Sequence, residues 1–80
     1  SGNFDSALEN LTNAIELNKY EPQFYNYKAL TFYMMGQYEP SLLVFSEAIK
    51  IYEIKNLNTP EVAECWFNRG NTLLNIGKEG

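Results

Sequence analysis

Apolar residues recur at helical spacing in four successive stretches of the chain. The first stretch, from Phe4 to about Lys19, places them near i, i+3, i+4 and i+7, which is typical of an amphipathic α-helix. The second runs from Pro22 to Met35, the third from about Glu39 to Lys55, and the fourth from Pro60 to about Ile76. No stretch keeps the period-two alternation of a strand. The pattern therefore predicts an all-α fold of about four helices.

Prolines and glycines mark where these helices should begin and end. Pro22 suits the first turn of the second helix, because proline lacks an N–H that would be unpaired there. We expect Gly36 to end that helix in a left-handed cap, and Gly77 to end the fourth helix. Thr59, directly before Pro60, is expected to be the N-cap of the fourth helix.

The second predicted helix is apolar over most of its circumference. A helix that is buried on one side only would carry a polar face. We therefore expect it to be covered on two sides, or to be covered on one side and to offer the other to a ligand.

The chain also repeats itself imperfectly. A shift of 34 residues places Gly2 on Gly36, and a shift of 41 residues places Tyr25 on Trp66. Small residues at the repeated positions allow two helix backbones to approach closely, and large residues fill the remaining space. The repeated positions are Ala7, Ala14, Tyr25, Ala29, Phe32, Gly36, Phe45, Ala48, Trp66, Gly70 and Gly77.

These copies resemble the tetratricopeptide repeat, whose pattern is Trp-x2-Leu-Gly-x2-Tyr followed by Ala-x3-Phe. The fourth stretch carries Trp66-x2-Arg69-Gly70-x2-Leu73, and the second carries Tyr25-x2-Lys28-Ala29-x2-Phe32. Arg69 and Lys28 stand where the pattern has leucine, and the closing proline is absent. The resemblance implies antiparallel helix pairs stacked as a short right-handed α-solenoid.

The repeat divides the single domain, residues 1–80, into three parts. Residues 1–21 are expected to be the second helix of a partial repeat, and residues 56–80 the first helix of another. Residues 22–55 form a complete repeat, whose second helix is extended by most of the seven residues that the second shift adds. Both end helices lack a partner, so their open faces should be apolar. Either further repeats flank the segment, or the end helices associate head to tail between molecules.

Charge and cysteine content narrow the classes of partner and compartment. The net charge is −4, and the six Lys and Arg residues are scattered, which argues against a nucleic-acid or anionic-membrane surface. No apolar run is long enough to span a membrane. The one cysteine, Cys65, cannot form an internal disulfide. We therefore expect an intracellular protein in a reducing compartment, the cytoplasm or nucleus.

Candidate catalytic groups are few. The chain has no histidine, which removes the commonest general base. Cys65 without a histidine is a poor nucleophile candidate, and packing explains it better. Glu61 and Glu64 could pair as acid and base, but acidic residues are ordinary in the first turn of a helix. The sequence predicts neither an enzyme nor a bound cofactor or metal.

Recognition of another protein is the function that the resemblance implies. In tetratricopeptide arrays the first helix of each repeat lines a concave groove that binds a peptide or a helix. Asn68, Asn71 and Asn75 form one stripe, and a carboxamide can both donate to and accept from a peptide backbone. The alternative is that these asparagines are merely solvated, since the chain is rich in asparagine. The expected groove residues are Asn26, Tyr27, Leu30, Tyr33, Met34, Phe67, Asn68, Asn71 and Asn75.

The sequence thus predicts a non-catalytic interaction module that scaffolds a complex through its groove. The alternative is a structural stretch of a longer solenoid, acting through its ends or convex face, with self-association of this segment. The family's clamp for C-terminal carboxylates is not expected, because Asn26, Leu30 and Glu64 occupy its other positions and only Asn68 matches.

Overall fold

The computed structural model describes residues 2–79, with side chains for residues 3–78, and its elements are all helices. The helices are α1 (Gly2–Leu17), α2 (Pro22–Met34), α3 (Tyr38–Ile54) and α4 (Pro60–Glu79). No strand occurs within residues 2–79. The predicted all-α class is confirmed, and the extension of the third helix to about residue 55 matches the end of α3.

Gly36 ends α2 in the predicted left-handed cap, with φ +79°. Its N–H donates to the carbonyl of Tyr33 (3.0 Å), and the N–H of Gln37 donates to the carbonyl of Phe32 (2.9 Å). This pair of hydrogen bonds is the Schellman motif, which satisfies carbonyls that the helix end leaves free. The cap turns the chain directly into α3.

The loop after α3 is built on the same motif, and its left-handed residue is an asparagine. Asn56 has φ +56°. Its N–H donates to the carbonyl of Glu53, and the N–H of Leu57 donates to the carbonyl of Tyr52, both at 3.0 Å. Asparagine tolerates this conformation better than other non-glycine residues. Asn56 therefore caps the C-terminus of α3 in the same way as Gly36 caps that of α2.

The predicted end of the fourth helix at Gly77 is wrong, since α4 continues to Glu79. A capping glycine must adopt a positive φ, and Gly36 is the one glycine with a positive φ in the described part of the chain. A glycine that keeps helical dihedrals lowers helix stability by only about 1 kcal/mol relative to alanine, so it does not by itself end the helix.

Helix α2 is central to the packing. It contacts α1, α3 and α4, whereas α1 contacts only α2 among the described helices. Helix α4 packs mainly against α3 and also touches α2. The second helix is thus covered on more than one side, which is the first of the two arrangements expected for it, and its contact with α4 creates the groove described below.

The core lies between α2, α3 and α4. Between α2 and α3, the hydroxyl of Ser41 donates to the carbonyl of Ala29 at 2.8 Å, and both residues are fully buried. The thiol of Cys65 on α4 donates to the carbonyl of Phe45 on α3 at 3.8 Å. The buried apolar cluster consists of Ala29, Phe45, Ala48, Ile49, Tyr52 and Cys65.

Trp66 and Gly70 do not enter this core, contrary to the expectation that they pack between helices. The Trp66 side chain is 49% exposed, and a Cβ added at Gly70 would meet no atom within 4 Å. The reason is that no helix in the described part of the chain covers this side of α4. We call the side the open face of α4; its exposed residues are Ala63, Trp66, Gly70, Leu73 and Gly77.

Candidate functional site

A small cavity lies where α2 and α4 meet. Its lining residues are Leu30 and Tyr33 from α2 and Asn68 and Asn71 from α4, and its volume is about 60 Å³. Residues three apart are neighbours on a helix surface, so each helix contributes one adjacent pair. The cavity thus has an apolar and aromatic wall on one side and two carboxamides on the other. It has room for a few water molecules or one small side chain.

The side-chain amides of Asn68 and Asn71 are free. Among residues 3–78, neither amide forms a hydrogen bond with another residue. Each side chain is only partly buried, so its donor and acceptor remain accessible from the cavity. A carboxamide has two N–H donors and an oxygen acceptor, which match the N–H and C=O of a peptide unit. The pair can therefore hydrogen-bond a peptide backbone without selecting a particular side chain.

Asn75 fixes the position of Tyr33 rather than lining the cavity. Its Nδ2 donates to the Tyr33 hydroxyl at 2.8 Å and to the Asn71 carbonyl at 3.0 Å. On its other side, the Tyr33 ring meets the Tyr38 ring edge-on, with centroids 5.2 Å apart. The aromatic wall of the cavity is therefore held in place before any ligand arrives.

Asn26 lies on the same side of α2, one turn before Leu30. It is only 4% exposed, and its Oδ1 has no hydrogen-bond partner among the described residues. A buried acceptor without a partner lowers stability by about 1–3 kcal/mol. Asn26 does not line the cavity itself, so it is a neighbour of the site with an unused acceptor.

The other predicted groove residues lie outside the cavity. The exposed fractions of Tyr27, Met34 and Phe67 are 50%, 62% and 69%. All four lining residues belong to the set expected from the sequence, and the structure brings together only that part of it. The free amide pair and the fixed tyrosine are thus the central features of the site.

No charged residue lines the cavity, and the chain carries a net charge of −4. A free carboxylate would meet neither a lysine nor an arginine there. The electrostatics therefore favour a neutral or cationic ligand over an acidic one.

Cys65, the one thiol of the chain, has no access to solvent. Burial raises its pKa from 9.0 to about 11, and the nearby Glu64 carboxylate adds to the rise. The thiolate is the reactive form of cysteine, so this thiol is unreactive at neutral pH. Tyr52 lies in the same core, where burial first and then Cys65 and Glu61 raise its pKa to about 12.

Within residues 2–79, no cluster of three His, Cys, Asp or Glu side chains could hold a metal ion. Over the same residues, none of the helices has the length and apolar character needed to cross a bilayer.

A second, larger cavity lies between the start of α3 and the end of α4. Its volume is about 300 Å³, and it adjoins Leu73 on the open face of α4. Sequence reasoning expected an apolar open face but did not identify this cavity. The signal that could have found it is Leu43, an apolar residue that falls outside the helical spacing of Phe45, Ala48 and Ile49. The lining residues are Glu39, Leu42, Leu43, Leu73 and Ile76.

Comparison with known proteins supplies no further guide to the site. Scans against family models, curated sequences and solved structures each returned no significant match.

Proposed function

We propose that this chain is a non-catalytic protein–protein interaction module, which binds a peptide segment or helix in the groove between α2 and α4. The observation that carries the proposal is the pair of free amides on Asn68 and Asn71, facing Leu30 and Tyr33 across a cavity. Polar groups that have no partner in the protein but are accessible from a cavity are suited to bind a ligand.

In this proposal the chain is a tetratricopeptide-like segment of a right-handed solenoid. The supporting observations are the internal repeat and the sequential contacts from α1 to α2, α3 and α4. Helices α2 and α4 are then the first helices of two successive repeats, and their shared side is the concave groove. Residues 1–21, 22–55 and 56–80 are the corresponding partial, complete and partial repeats.

The chemistry of the groove defines the kind of ligand. The Asn68 and Asn71 amides hydrogen-bond main-chain groups, while a small apolar side chain enters the space between Leu30 and Tyr33. Each such hydrogen bond contributes about 0.5–1.5 kcal/mol to binding. The neutral lining disfavours a peptide that ends in a free carboxylate at this position.

A structural role through the ends of the segment is the second candidate. It is favoured by the exposed apolar residues on the open face of α4, among them Trp66 and Leu73. Apolar surface of this kind on a folded protein marks an interaction site. The two candidates use different sides of α4, so they can be tested separately.

The test is selection of peptides from a random phage-displayed library with the wild-type chain. We expect the selected peptides to bind the Asn68→Ala/Asn71→Ala variant at least about tenfold more weakly, which corresponds to the loss of one to two hydrogen bonds. The matched control is Asn10→Ala/Asn13→Ala, which removes two exposed asparagines at the same spacing on α1. Equal binding to both variants, or a selection that yields no peptide, would contradict the proposal.

A further inference from the structure

The open face of α4 is an apolar surface with the outline of a helix-binding groove. Trp66 and Leu73 are 49% and 44% exposed, and Gly70 between them carries no side chain. The cavity of about 300 Å³ adjoins Leu73 at the C-terminal end of this face. On the α3 side, Leu43 is 69% exposed. A second helix laid along this face would bury all of these groups.

The packing of α2 against α3 shows how such a helix would bind. Ala29 and Ser41 are fully buried between those two helices, and the Ser41 hydroxyl donates to the Ala29 carbonyl at 2.8 Å. The internal repeat places Gly70 at the position of Ala29 and Ala7 at the position of Ser41. Helix α4 thus repeats the surface of α2, and α1 repeats the surface of α3.

Helix α1 still has apolar surface available for a second contact. Leu11 and Ala14 correspond to Phe45 and Ala48 of α3. Phe45 and Ala48 are fully buried, whereas Leu11 and Ala14 are only partly buried, because α1 packs against α2 alone. Ile15 is likewise partly buried where its counterpart Ile49 is buried, whereas the pairs Phe4 and Tyr38, and Leu8 and Leu42, are partly buried in both helices.

The contact surface of α1 carries no charged residue. The charged residues of α1 are Asp5, Glu9 and Glu16, and all three are exposed on the side of the helix opposite Ala7. Arg69 lies beside the open face, where its Nε donates to the Ser46 hydroxyl at 3.1 Å and its Cζ is 5.8 Å from the Trp66 ring centroid. These contacts hold the Arg69 guanidinium at the edge of the apolar surface, next to Trp66.

The C-terminal end of the open face of α4 lies beside a carboxylate. Tyr38 packs against Tyr33 in the α2–α3 pair, and their counterparts are Phe4 and Leu74. This correspondence places the N-terminal turn of an incoming α1 at the large cavity, which is lined by the Glu39 carboxylate. A carboxylate near the N-terminus of a helix is favourable, because the helix dipole is positive there.

We infer that the open face of α4 binds α1 of a second copy of this chain, so that the copies associate head to tail. Ala7 of one copy lies against Gly70 of its neighbour, and the two helices form the pair that α2 and α3 form within one chain. The contact is heterologous, since the two copies use different surfaces. It can therefore add further copies at both ends.

The first test is the mass of the 80-residue chain by sedimentation equilibrium, from low micromolar to near-millimolar concentration with a reductant present. We expect the weight-average mass to rise to at least twice the monomer value of 9.2 kDa. A mass that stays at 9.2 kDa throughout would overturn the inference, and would leave the open face to a partner other than this chain.

Two substitutions at Gly70 distinguish association through the open face of α4 from association through any other surface. A Cβ at Gly70 meets no atom within 4 Å in the single chain, so we expect both variants to keep the fold. Gly70→Ala restores the residue found at the equivalent position, Ala29, and should keep the rise in mass. Gly70→Glu places a charged side chain in the apolar contact with Ala7 and should abolish the rise in mass. Equal association of the two variants would overturn the inference.

Mixing tests the head-to-tail arrangement directly. Gly70→Glu blocks the α4 surface, and Ala7→Glu blocks the α1 surface; each variant alone should remain monomeric with wild-type helicity. An equimolar mixture should form a dimer and nothing larger, because each chain keeps one intact surface. A monomeric mixture would contradict the arrangement. The Asn68 and Asn71 amides lie on another side of α4, so peptide binding and self-association can fail independently.

Discussion

The Nδ2 of Asn75 donates to the hydroxyl of Tyr33 at 2.8 Å, and this bond joins α4 to α2 beside the small cavity. The two residues are far apart in the sequence, so the bond depends on the docking of α4. It holds the aromatic wall of the cavity against the free amides of Asn68 and Asn71. The stability of α4 docking and the shape of the groove are therefore coupled through one residue pair.

The first prediction tests that coupling. Asn75→Ala and Tyr33→Phe should each lower the free energy of unfolding by about 1 kcal/mol, since each removes one partner of a part-buried hydrogen bond. The double variant should lose less than the sum, because both substitutions remove the same bond. Urea denaturation of the four proteins measures this. Strictly additive losses would show that the bond contributes nothing.

The second prediction concerns the left-handed residue after α3. Asn56→Gly should raise the free energy of unfolding by several tenths of a kcal/mol, because glycine adopts φ +56° without steric strain. Asn56→Ala should lower it by about 1 kcal/mol. The same two substitutions at Asn58, which has no positive φ, provide the control. Stabilisation by Asn58→Gly as large as that by Asn56→Gly would argue against the cap.

The third prediction is loss of stability in alkali. The pKa values of Cys65 and Tyr52 are raised in the folded state, to about 11 and about 12, so the folded state holds their protons more tightly than the unfolded state. The unfolded pKa values are near the ordinary 9.0 and 10.0. The contribution of these two groups to the free energy of unfolding is fully present below pH 9.0, and it falls as the pH rises towards 12.

Cys65→Ser is the control for the alkaline loss. Serine can still donate to the Phe45 carbonyl but does not titrate in this range. The decline should then begin nearer pH 10.0, where unfolded Tyr52 starts to lose its proton. Urea denaturation at a series of pH values measures the free energy of unfolding. A value for the wild-type chain that stays unchanged up to pH 12 would contradict the raised pKa values.

The fourth prediction compares two aromatic residues of the repeat. Phe45 is fully buried and Trp66 is 49% exposed. Phe45→Ala should lower the free energy of unfolding by about 3–5 kcal/mol, because it leaves a cavity in the core. Trp66→Ala should lower it by less than half as much. Both are measured by urea denaturation at low micromolar concentration, which keeps the chain monomeric. An equal cost would mean that Trp66 is covered in solution even in the single chain.

The helices could be predicted from the sequence because their signals are local. The apolar period locates all four helices, and Pro22 and Gly36 mark the limits of α2. Gly77 was misleading, since a glycine caps a helix only where the chain must turn back, and no contact forces a turn there. The cap at Asn56 was missed because asparagine is common in loops and only its φ distinguishes it.

The site could be predicted in part, because helical spacing shows which residues share a face. The spacing places Asn68 and Asn71 on one stripe, whereas Leu30 and Tyr33 across the groove were expected from the resemblance to the tetratricopeptide repeat. The spacing does not show which amides are already used, and it did not separate Asn75, which bonds Tyr33, from its free neighbours. Nor could it show that Asn26 is buried or that Trp66 lies outside the core, because both depend on which helices cover which faces.

The most direct measurement is an NMR titration of the isotopically labelled chain with a peptide selected from the library. The side-chain amides of Asn68 and Asn71 should shift as the peptide saturates the protein, together with the ring signals of Tyr33. The side-chain amides of Asn10 and Asn13 on α1 should remain in place. Shifts confined to Trp66, Gly70 and the other residues of the open face would contradict a binding groove between α2 and α4.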